Sequence, residues 1–416
     1  MNLLVDSVTC NPHVGSNAEA GFGFASQALR RHNVVLLSHR DLFLQGGNPL
    51  AFDQSGHLRL ELLRPSILGK LGRQTDYILR CYFHAKRIVD HGAIDIIHTV
   101  TPQQYRMTRP LAHIRTVPFV LGPLNGGDAY PPGEFLEDLG SRPIPQGEDA
   151  IRRRGLGGLA DRFNQALVHG GIAQASTNAA FARAARIAIG ADNCLNNIPG
   201  EHHAKCMRVP CLGIDTSTFT PREGGPNESP VILYAGRISA WKGLDLLLQA
   251  FASASRSRPA VLKVAGSGQG DPADERFERY CRDFARNLGI ADRVDFCGHV
   301  PRTKLVEMYQ ECDVFCLTSL WEPFGLVYLE AMACGKPVVA MASGGPAEIV
   351  KPEFGFAVEP RRLRQFIDDL SQVIAELVDD GARRAHMGEN ARRHVLEHYT
   401  WDAVGEKMQA VYESAV

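Results

Sequence analysis

The sequence lacks any long uninterrupted apolar run. No uncharged apolar stretch approaches the roughly 18 residues that suggest a membrane-spanning helix. The opening residues MNLLVDSVTC also lack the basic segment and apolar run of a signal peptide. The ten cysteines include no CxxC pair, which excludes the common zinc-finger and dithiol patterns. These absences favour a cytoplasmic chain with free thiols, most of them packed as small buried hydrophobic side chains.

An excess of charge of one sign is also missing. Lys and Arg number 45 against 46 Asp and Glu, so no global field draws the chain to nucleic acid. Hydrophobic residues make up 44% and charged residues 22%, which is typical of a globular protein. A length of 416 residues exceeds one ordinary core, so two domains are predicted.

The chain does contain a regular alternation of β and α patterns, which predicts parallel sheets covered by helices on both faces. The strands predicted from apolar runs are Leu3–Val5, Val34–Leu37, Ile94–Ile97, Pro118–Leu121, Val231–Tyr234, Val261–Val264, Val294–Phe296, Val314–Leu317 and Val338–Ala340. The predicted helices are Phe24–Arg31, Thr75–Val89, Gly243–Ala254, Asp274–Leu288, Lys304–Gln310 and Leu326–Cys334. Residues 128–157 predict a long loop, and residues 211–230 predict an interdomain linker.

The segment WEPFGLVYLEAMACGKPVVA, at 321–340, is the most informative. It predicts a loop after a strand, then a helix whose first N–H groups, at Gly325, Leu326 and Val327, could bind phosphate beside Phe324. Glu330 lies inside this otherwise apolar helix and needs a partner, which a ribose diol or a nearby cation could supply. Glu322, eight positions earlier, is either a solvated loop acid or a second site residue.

Two more strand-end loops are candidates for diphosphate binding. YAGRISAWKG, at 234–243, places Arg237 and Lys242 in one short loop, where both cations could reach a diphosphate. AGSGQG, at 265–270, follows the next strand but has its third glycine one position too early for a dinucleotide fingerprint. It predicts either backbone held close to a nucleotide or only a turn.

Together these motifs resemble glycosyltransferase family 4, a retaining family with the two-domain GT-B architecture. The E-x7-E pair is Glu322 and Glu330, and the G-R…K-G phrase spans Gly236 to Gly243. GIDTSTFTP resembles the family's linker. SGGPAEIV resembles its G-G-x-P-E phrase with Pro346 and Ala347 transposed, and YTWDAVGEKMQAVY resembles its closing helix.

The resemblance implies two Rossmann-like domains facing across a cleft: an acceptor domain at 1–212, a donor domain at 213–395, and a helix at 396–416 that returns to the first domain. Arg237 and Lys242 would neutralise the leaving diphosphate, Glu330 would bind the ribose, and Glu322 would lie near the transferred sugar. No metal or cofactor beyond the nucleotide-sugar donor is implied. The other donor-binding residues implied are Gly15, Gly236, Gly266, Gly268, Phe324, Gly325, Leu326 and Val327.

The sequence departs from this family where many relatives carry a histidine after the strand matching Pro118–Leu121. Here Asn125, Gly126, Gly127 and Asp128 follow instead, as a candidate loop for acceptor or donor. His98, after another predicted strand, is the nearest alternative catalytic candidate. It could equally be a strand-end histidine bonded to backbone.

Three questions of function stay open at this point. A nucleotide-sugar 2-epimerase shares the architecture, and a non-catalytic nucleotide-sugar-binding protein would keep the same motifs. The acceptor could be a glycan, a lipid-linked molecule or a small molecule. Residues 61–115 hold nine Lys or Arg and four acids, which would suit peripheral contact with an anionic membrane or would form an ordinary solvated helix face.

Overall fold

The computed structural model describes residues 1–11, 16–44, 56–64, 66, 73–101, 103, 108–125, 131–140, 171–222 and 227–416. The chain divides into two compact units. The first comprises Met1–Gly127, Gly155–Gly213 and Trp401–Val416, and the second comprises Asp128–Arg154 and Ile214–Thr400. Of the residues predicted to form the site, Gly15, Gly126, Gly127 and Asp128 lie outside the described ranges.

The first unit is built on a seven-stranded sheet with the order β3-β2-β1-β4-β5-β6-β7, in which all neighbours are parallel. Strand β1 pairs with a strand on each side and is buried from Leu3 to Ser7, with an apolar run at Leu3–Val5. The strands are β1 Asn2–Ser7, β2 Asn33–His39, β3 Leu58–Leu63, β4 Ile96–Thr101, β5 Phe119–Leu124, β6 Arg186–Ile189 and β7 Cys206–Arg208.

Amphipathic helices cover this sheet. In the helix Arg73–His91, the side chains of Tyr77, Cys81, Ala85 and Ile88 recur at helical spacing and are buried in the core of the first unit. The helices of the first unit are α1 Ser16–Leu29, α2 Arg40–Phe43, α3 Arg73–His91, α5 Gly171–Arg183 and α13 Trp401–Ala415, and those of the second unit are α4 Gly133–Gly140, α6 Leu244–Ala254, α7 Pro272–Asn287, α8 Arg302–Glu311, α9 Leu326–Ala333, α10 Gly345–Ile349, α11 Leu363–Asp379 and α12 Gly381–His398.

The second unit has a six-stranded parallel sheet with the order β10-β9-β8-β11-β12-β13. Successive strands are added on one side of β8 as far as β10 and then on its other side from β11 onwards. The loops that follow β8 and β11 therefore flank the position where doubly wound sheets bind ligands. The strands are β8 Val231–Ala235, β9 Val261–Ala265, β10 Val294–Gly298, β11 Val314–Leu317, β12 Val338–Met341 and β13 Gly355–Val358.

Helix α7 shows how local sequence fixes an element of this unit. Asp271 caps its N-terminus, accepting from the backbone N–H of Ala273 at 2.8 Å, and Pro272 occupies the first turn, where its missing N–H costs nothing. Phe277, Cys281 and Ala285 recur every fourth residue and are buried, and the helix packs beside α6.

The alternation of strands and helices confirms the prediction of two parallel-sheet α/β domains. All nine predicted strands are present, although β4 begins at Ile96 rather than Ile94. The prediction of a loop over 128–157 was wrong for Gly133–Gly140, which forms α4. Phe135 is the buried side chain of this helix, and its ring packs on Phe366 of α11 with centroids 5.5 Å apart.

The segment predicted as a linker is packed onto the second unit over part of its length. Ile214 forms a bridge with Thr400, and Phe219 is buried. Arg392 donates hydrogen bonds to the carbonyl oxygens of Phe219 and Ala333, which ties this segment to α9. Buried apolar side chains in a Gly- and Pro-rich stretch therefore make it part of the unit's core.

Candidate active site

Two strand-end loops of the second unit, 236–243 after β8 and 318–325 after β11, lie side by side. The backbone N–H of Leu320 donates to the carbonyl of Trp241 at 2.8 Å, and the Thr318 hydroxyl donates to the carbonyl of Gly243 at 2.7 Å. Gly243 has φ +66°, and a Cβ there would lie 2.3 Å from the Thr318 carbonyl oxygen. Glycine is therefore required at this position, and it fixes one loop against the other.

Lys242 and Glu322 form an ion pair at the meeting point of the two loops. The Lys242 Nζ atom lies 2.5 Å from Glu322 Oε2, and the two side chains are 13% and 14% exposed. A pair so largely removed from water is held more tightly than a surface pair, because water screens its attraction less. The structure thus brings together two of the residues that the sequence predicted to act on the donor.

Arg237, from the first of these loops, pairs with Asp274 near the start of α7. The Arg237 Nε atom lies 2.5 Å from Asp274 Oδ2, and the arginine side chain is half-exposed. Burial raises the pKa of Asp274, while the guanidinium of Arg237 opposes that rise. Both predicted cations of the diphosphate site therefore face carboxylates of their own unit.

The loop carrying Glu322 rests on two adjacent glycines. The backbone N–H of Gly345 donates to the Glu322 carbonyl at 2.8 Å, and a Cβ on Gly345 would lie 2.4 Å from the carbonyl of Phe324. Gly344 has φ +63°, a conformation that side chains disfavour. Pro346, transposed relative to the family phrase, lies in the first turn of α10, where proline is tolerated.

Helix α9 begins directly after this loop. Gly325 caps it with φ +93°, and Phe324 beside it is buried. The first N–H groups of a helix lack acceptors within the helix, so those of Leu326 and Val327 point out of the carboxyl end of the sheet with the positive end of the helix dipole. A helix start of this kind can bind an anion, and the phosphate site at these amides stays a prediction.

Glu330 is buried one turn further along α9. The Tyr309 hydroxyl donates to its Oε2 atom at 3.0 Å, and Arg302 Nη1 lies 3.4 Å from its Oε1 atom. Arg302 also lies over the ring of Phe219, 5.2 Å from its centroid. The sequence left a cation or a ribose as the partner of Glu330, and the structure supplies the cation.

The glycines of the other loops contribute close packing through their backbone. The backbone N–H of Gly266 donates to the carbonyl of Gly298 at 2.8 Å, and that of Gly236 donates to the carbonyl of Ala265 at 3.0 Å. The backbone N–H of Gly268 donates to Glu278 Oε2 at 2.8 Å. A Cβ on Gly266 would lie 1.8 Å from the carbonyl of Gly236. These amides are engaged within the unit, which fits the alternative that AGSGQG forms a turn.

His98 lies in the first unit and is fully buried. Its Nε2 atom is 2.7 Å from the Gly122 carbonyl, and its Nδ1 atom is 2.7 Å from the Tyr412 hydroxyl on α13. Burial lowers its pKa to about 4, so the ring is neutral, donating to Gly122 and accepting from Tyr412. This geometry fits the alternative of a strand histidine bonded to backbone, and the catalytic assignment stays a prediction.

The altered loop after β5 is described only as far as Asn125. The backbone N–H of Asn125 donates to the carbonyl of Gln103 at 2.9 Å. Gly122, at the end of the same strand, has φ +109°, and a Cβ there would lie 2.3 Å from the carbonyl of Ala188. The phrase GPLN is therefore shaped by close packing between β5 and β6.

A buried polar cluster at the ends of β1 and β4 was not predicted. Tyr77 and Thr99 donate to the two carboxylate oxygens of Asp6, at 2.5 and 2.9 Å. Burial raises the pKa of Asp6 to about 6, while the charge of Arg109 opposes that rise. Arg109 is itself buried, so it belongs to this cluster and is not one of the surface cations.

Sequence reasoning missed several neighbours of the site in the second unit. Asp274 and Tyr309 carry no motif, because they reach the site only through the packing of α7 and α8. Trp241 and Trp321 did carry a signal, since each directly precedes a member of the ion pair in the sequence. The described residues contain no group of three His, Cys, Asp or Glu side chains that could hold a metal ion.

Residues 215–394 match the family model described as Glycosyl transferases group 1. The matched segment lies inside the second unit and contains both strand-end loops. All four charged residues that the sequence nominated for the donor, Arg237, Lys242, Glu322 and Glu330, fall within this group 1 segment.

Curated relatives align with about half of the chain. A GDP-mannose-dependent monoacylated alpha-(1-6)-phosphatidylinositol monomannoside mannosyltransferase of Corynebacterium glutamicum is 33% identical over 221 residues, 49% of this chain and 55% of that protein. A D-inositol 3-phosphate glycosyltransferase of Corynebacterium diphtheriae is 37% identical over 207 residues, 49% of this chain and 44% of that protein. The chain spans about half the length of the curated relatives it matches.

The fold extends beyond the group 1 segment. Sucrose-phosphate synthase from Thermosynechococcus elongatus superposes with a TM-score of 0.66 at 20% identity, covering 99% of this chain and 98% of that one. The likeness establishes the GT-B fold, since it covers both units. The helices of the described residues are all too short or too polar to cross a membrane.

Proposed function

We propose that the chain is a retaining glycosyltransferase of family 4, which moves a sugar from a nucleotide-diphosphate sugar to an acceptor hydroxyl. The observation that carries the proposal is the placement of Arg237 and Lys242 with the N-terminus of α9. All three lie at the ends of β8 and β11, where the strand order of the second unit's sheet switches sides. Positively charged or polarised groups come there from two elements, the loop 236–243 and the first turn of α9. Transfer from a diphosphate needs them, because negative charge collects on the leaving group.

The chemistry follows from these positions. The bond between the anomeric carbon and the phosphate oxygen breaks, and its electron pair leaves with the diphosphate. The acceptor oxygen bonds to the same carbon, and the acceptor's hydroxyl proton passes to the departing diphosphate. Arg237 and Lys242 stabilise that charge by exchanging their carboxylate partners for phosphate oxygens, and the amides of Leu326 and Val327 add the helix dipole. Glu322, released from Lys242, is then a hydrogen-bond acceptor for the hydroxyls of the sugar.

Glu330 is proposed to hold the ribose. Its carboxylate is anchored by Tyr309 on one oxygen and by Arg302 on the other, and the ribose diol would replace part of the contact with half-exposed Arg302. The two curated relatives described above are named as a mannosyltransferase and a glycosyltransferase, and neither name favours the 2-epimerase alternative. The relative from C. glutamicum, named for GDP-mannose, makes a nucleoside diphosphate hexose the first donor to test.

The acceptor is proposed to be lipid-linked and reached at an anionic membrane through α3. Phe83 on this helix is 74% exposed, and Arg80 and Arg87 lie on the same face, three and four positions away. An exposed aromatic side chain beside cations suits an anionic lipid surface. Lys86 and Arg80 pair with Asp90 and Asp76, so Phe83 and Arg87 carry most of this proposal.

The diphosphate site is tested by substituting its cations. Arg237→Ala and Lys242→Ala are each expected to reduce turnover by roughly a hundredfold or more, as for loss of one preorganised donor. Both residues lie in a loop, so the folded state should persist by circular dichroism. Turnover is measured with the nucleoside diphosphate hexose whose nucleoside diphosphate gives the largest thermal shift; a ligand at a hundred times its Kd adds about 2.7 kcal/mol of stability.

The matched control is Arg258→Ala. Arg258 also bonds an aspartate of its own unit, Asp379, at 2.7 Å, but it lies in the turn between α6 and β9, away from the strand-end loops. It should leave turnover unchanged. A folded Arg237→Ala/Lys242→Ala double variant with near-normal kinetics would exclude the proposed site.

A further inference from the structure

Two of the three tryptophans of the chain meet at the strand-end loops. The ring centroids of Trp241 and Trp321 lie 6.1 Å apart, with an angle of 57° between the ring planes. Trp241 precedes Lys242 and Trp321 precedes Glu322, so the two indoles accompany the ion pair. The motifs that identify the site do not use either ring.

The position of Trp241 is fixed, although its ring is exposed. Its carbonyl accepts the N–H of Leu320 at 2.8 Å, and it belongs to the short helical turn Ala240–Lys242. The Lys242 Nζ atom lies 4.3 Å from the ring centroid. Even so, 40% of the residue surface is exposed to solvent. An aromatic ring that is held in place, exposed to solvent and next to an ion pair is a suitable contact surface for a ligand.

The chemistry of the two neighbours specifies that ligand. A pyranose ring has apolar faces made of C–H groups and an edge made of hydroxyls. The face of an indole carries negative electrostatic potential that attracts C–H groups, and a carboxylate accepts hydrogen bonds from hydroxyls. Trp241 and Glu322 offer these two surfaces side by side, with Lys242 between them.

We propose that Trp241 stacks on the pyranose ring of the donor, with Trp321 supporting the indole from the side. Trp241 is then a specificity-determining residue that recognises the sugar and leaves the nucleotide to Arg237, Lys242 and Glu330. The inference rests on the proposed function, because it assigns a sugar-binding contact to the same site.

The test compares binding of a nucleoside diphosphate with binding of the matching nucleoside diphosphate hexose by calorimetry. Trp241→Leu keeps apolar bulk and removes the aromatic face, and Trp241→Phe keeps an aromatic face. The Leu variant should lose about tenfold in affinity for the sugar nucleotide, the size expected for one aromatic contact, and none for the nucleoside diphosphate. The Phe variant should recover most of that loss.

Each other outcome is decisive. Equal loss for both ligands, no loss for either, or a Phe variant as weak as the Leu variant would each overturn the stacking role and leave the proposed function standing. A wild-type protein that binds neither ligand would overturn both. A second measurement needs no variant: the sugar nucleotide should change tryptophan emission of the wild type beyond the change caused by the nucleoside diphosphate. Identical emission changes for both ligands would contradict the proposal.

Discussion

Arg237 and Lys242 each face a carboxylate of the same unit, Asp274 and Glu322. A diphosphate that binds here replaces those carboxylates as the partner of the two cations. Separating the existing ion pairs costs free energy, which reduces the net binding free energy of the diphosphate. The pairs in turn keep two side chains in place before the ligand arrives. At the residue scale, the free site is therefore electrically balanced and already ordered.

The proposed ribose contact of Glu330 can be tested by a single substitution. Glu330→Gln should weaken binding of the nucleoside diphosphate by roughly tenfold or more, because hydrogen bonds to a charged group are worth about 1.5–3 kcal/mol. A 2′-deoxy or 3′-deoxy ligand should lose much of its sensitivity to this substitution. Binding constants of the four combinations give the measurement.

The control for Glu330 is Tyr309→Phe, which removes the hydroxyl bonded to Glu330 and keeps the carboxylate. It should lower stability by about 1 kcal/mol and preserve the difference between ribose and deoxyribose ligands. If Glu330→Gln only lowers the melting temperature and leaves the deoxy comparison unchanged, Glu330 is a structural ion-pair partner.

His98 predicts a pH dependence of stability. Its pKa is lowered from 6.5 in the unfolded chain to about 4 in the native protein, so the unfolded chain binds the extra proton between these values. The stabilisation is fully present above pH 6.5 and is lost as pH falls towards 4, on the order of 3 kcal/mol in all. Urea unfolding of wild type and His98→Gln at pH 4.5 and pH 7 measures it.

Asp6 acts in the opposite direction, because its pKa is raised to about 6 and its proton stabilises the native state as pH falls. The comparison must therefore be made between wild type and variant, both of which retain Asp6. The wild type should lose more stability than His98→Gln on acidification. Parallel losses in the two proteins would show that His98 is not the group responsible.

At the scale of elements, helix α13 is seated on the first unit by an aromatic side chain in a glycine-lined space. Trp401 packs edge-on against Phe24 of α1, with centroids 5.6 Å apart. A Cβ on Gly23 would lie 2.0 Å from the Trp401 ring, and one on Gly213 would lie 2.6 Å from it. Two glycines thus make the room that this helix needs.

Gly23→Ala should therefore destabilise the protein by roughly 1–3 kcal/mol, the usual cost of overpacking, despite the better helix propensity of alanine. The matched control in the same unit is Gly200→Ala, since a Cβ there meets no atom within 4 Å. Thermal unfolding of both variants decides the matter. Equal melting temperatures would mean that α13 can move aside without cost.

The sequence predicted nine of the thirteen strands in the described residues and missed β3, β6, β7 and β13, together with the long helices α11 and α12. Buried runs such as Val231–Tyr234 are apolar throughout and bounded by turn residues, so their pattern identifies them. Strands β6, β7 and β13 span four, three and four residues, too few to show a period. Their pairing depends on neighbouring strands and therefore on tertiary context.

The candidate site was predictable where it is local in sequence. Arg237, Lys242, Glu322 and Glu330 lie in phrases that follow strands, and parallel strands bring their ends to one edge. The partners of these residues were not predictable, because Asp274 and Tyr309 arrive on other helices. His98 lies inside β4, and its hydrogen bond to Tyr412, 314 positions later, could not be predicted from the local sequence.

At the scale of the whole molecule, the basic segment 61–115 is less exposed than its composition suggests. Arg109 is buried beside Asp6, and Arg80 and Lys86 are paired with acids. Lys70 and Arg106 lie outside the described residues, as does the side chain of Arg73. The proposed membrane contact therefore depends on a small surface around Phe83 and Arg87.

Sedimentation with anionic vesicles tests this contact. Wild type should pellet at low salt and remain in the supernatant at high salt, because the Debye length shortens from about 30 Å at 0.01 M to 3 Å at 1 M. Phe83→Ala/Arg87→Glu should abolish pelleting. Leu396→Ala/Arg393→Glu, on an exposed face of α12, is the matched control and should behave as wild type. A wild type that stays in the supernatant at low salt would indicate a soluble acceptor.

The position of Tyr412 has a consequence for biosynthesis. The hydroxyl that His98 needs is translated 314 residues later, roughly 15 to 60 seconds at ribosomal speed. Ile214–Thr400 emerges during this interval and can complete its own core first. The first unit thus begins to leave the ribosome before this segment and is completed only after it. Phe24 lacks its packing contact until Trp401 has been synthesised. A ribosome that stalls near residue 400 would release a chain whose group 1 segment is folded and whose first unit is a substrate for chaperones and proteases.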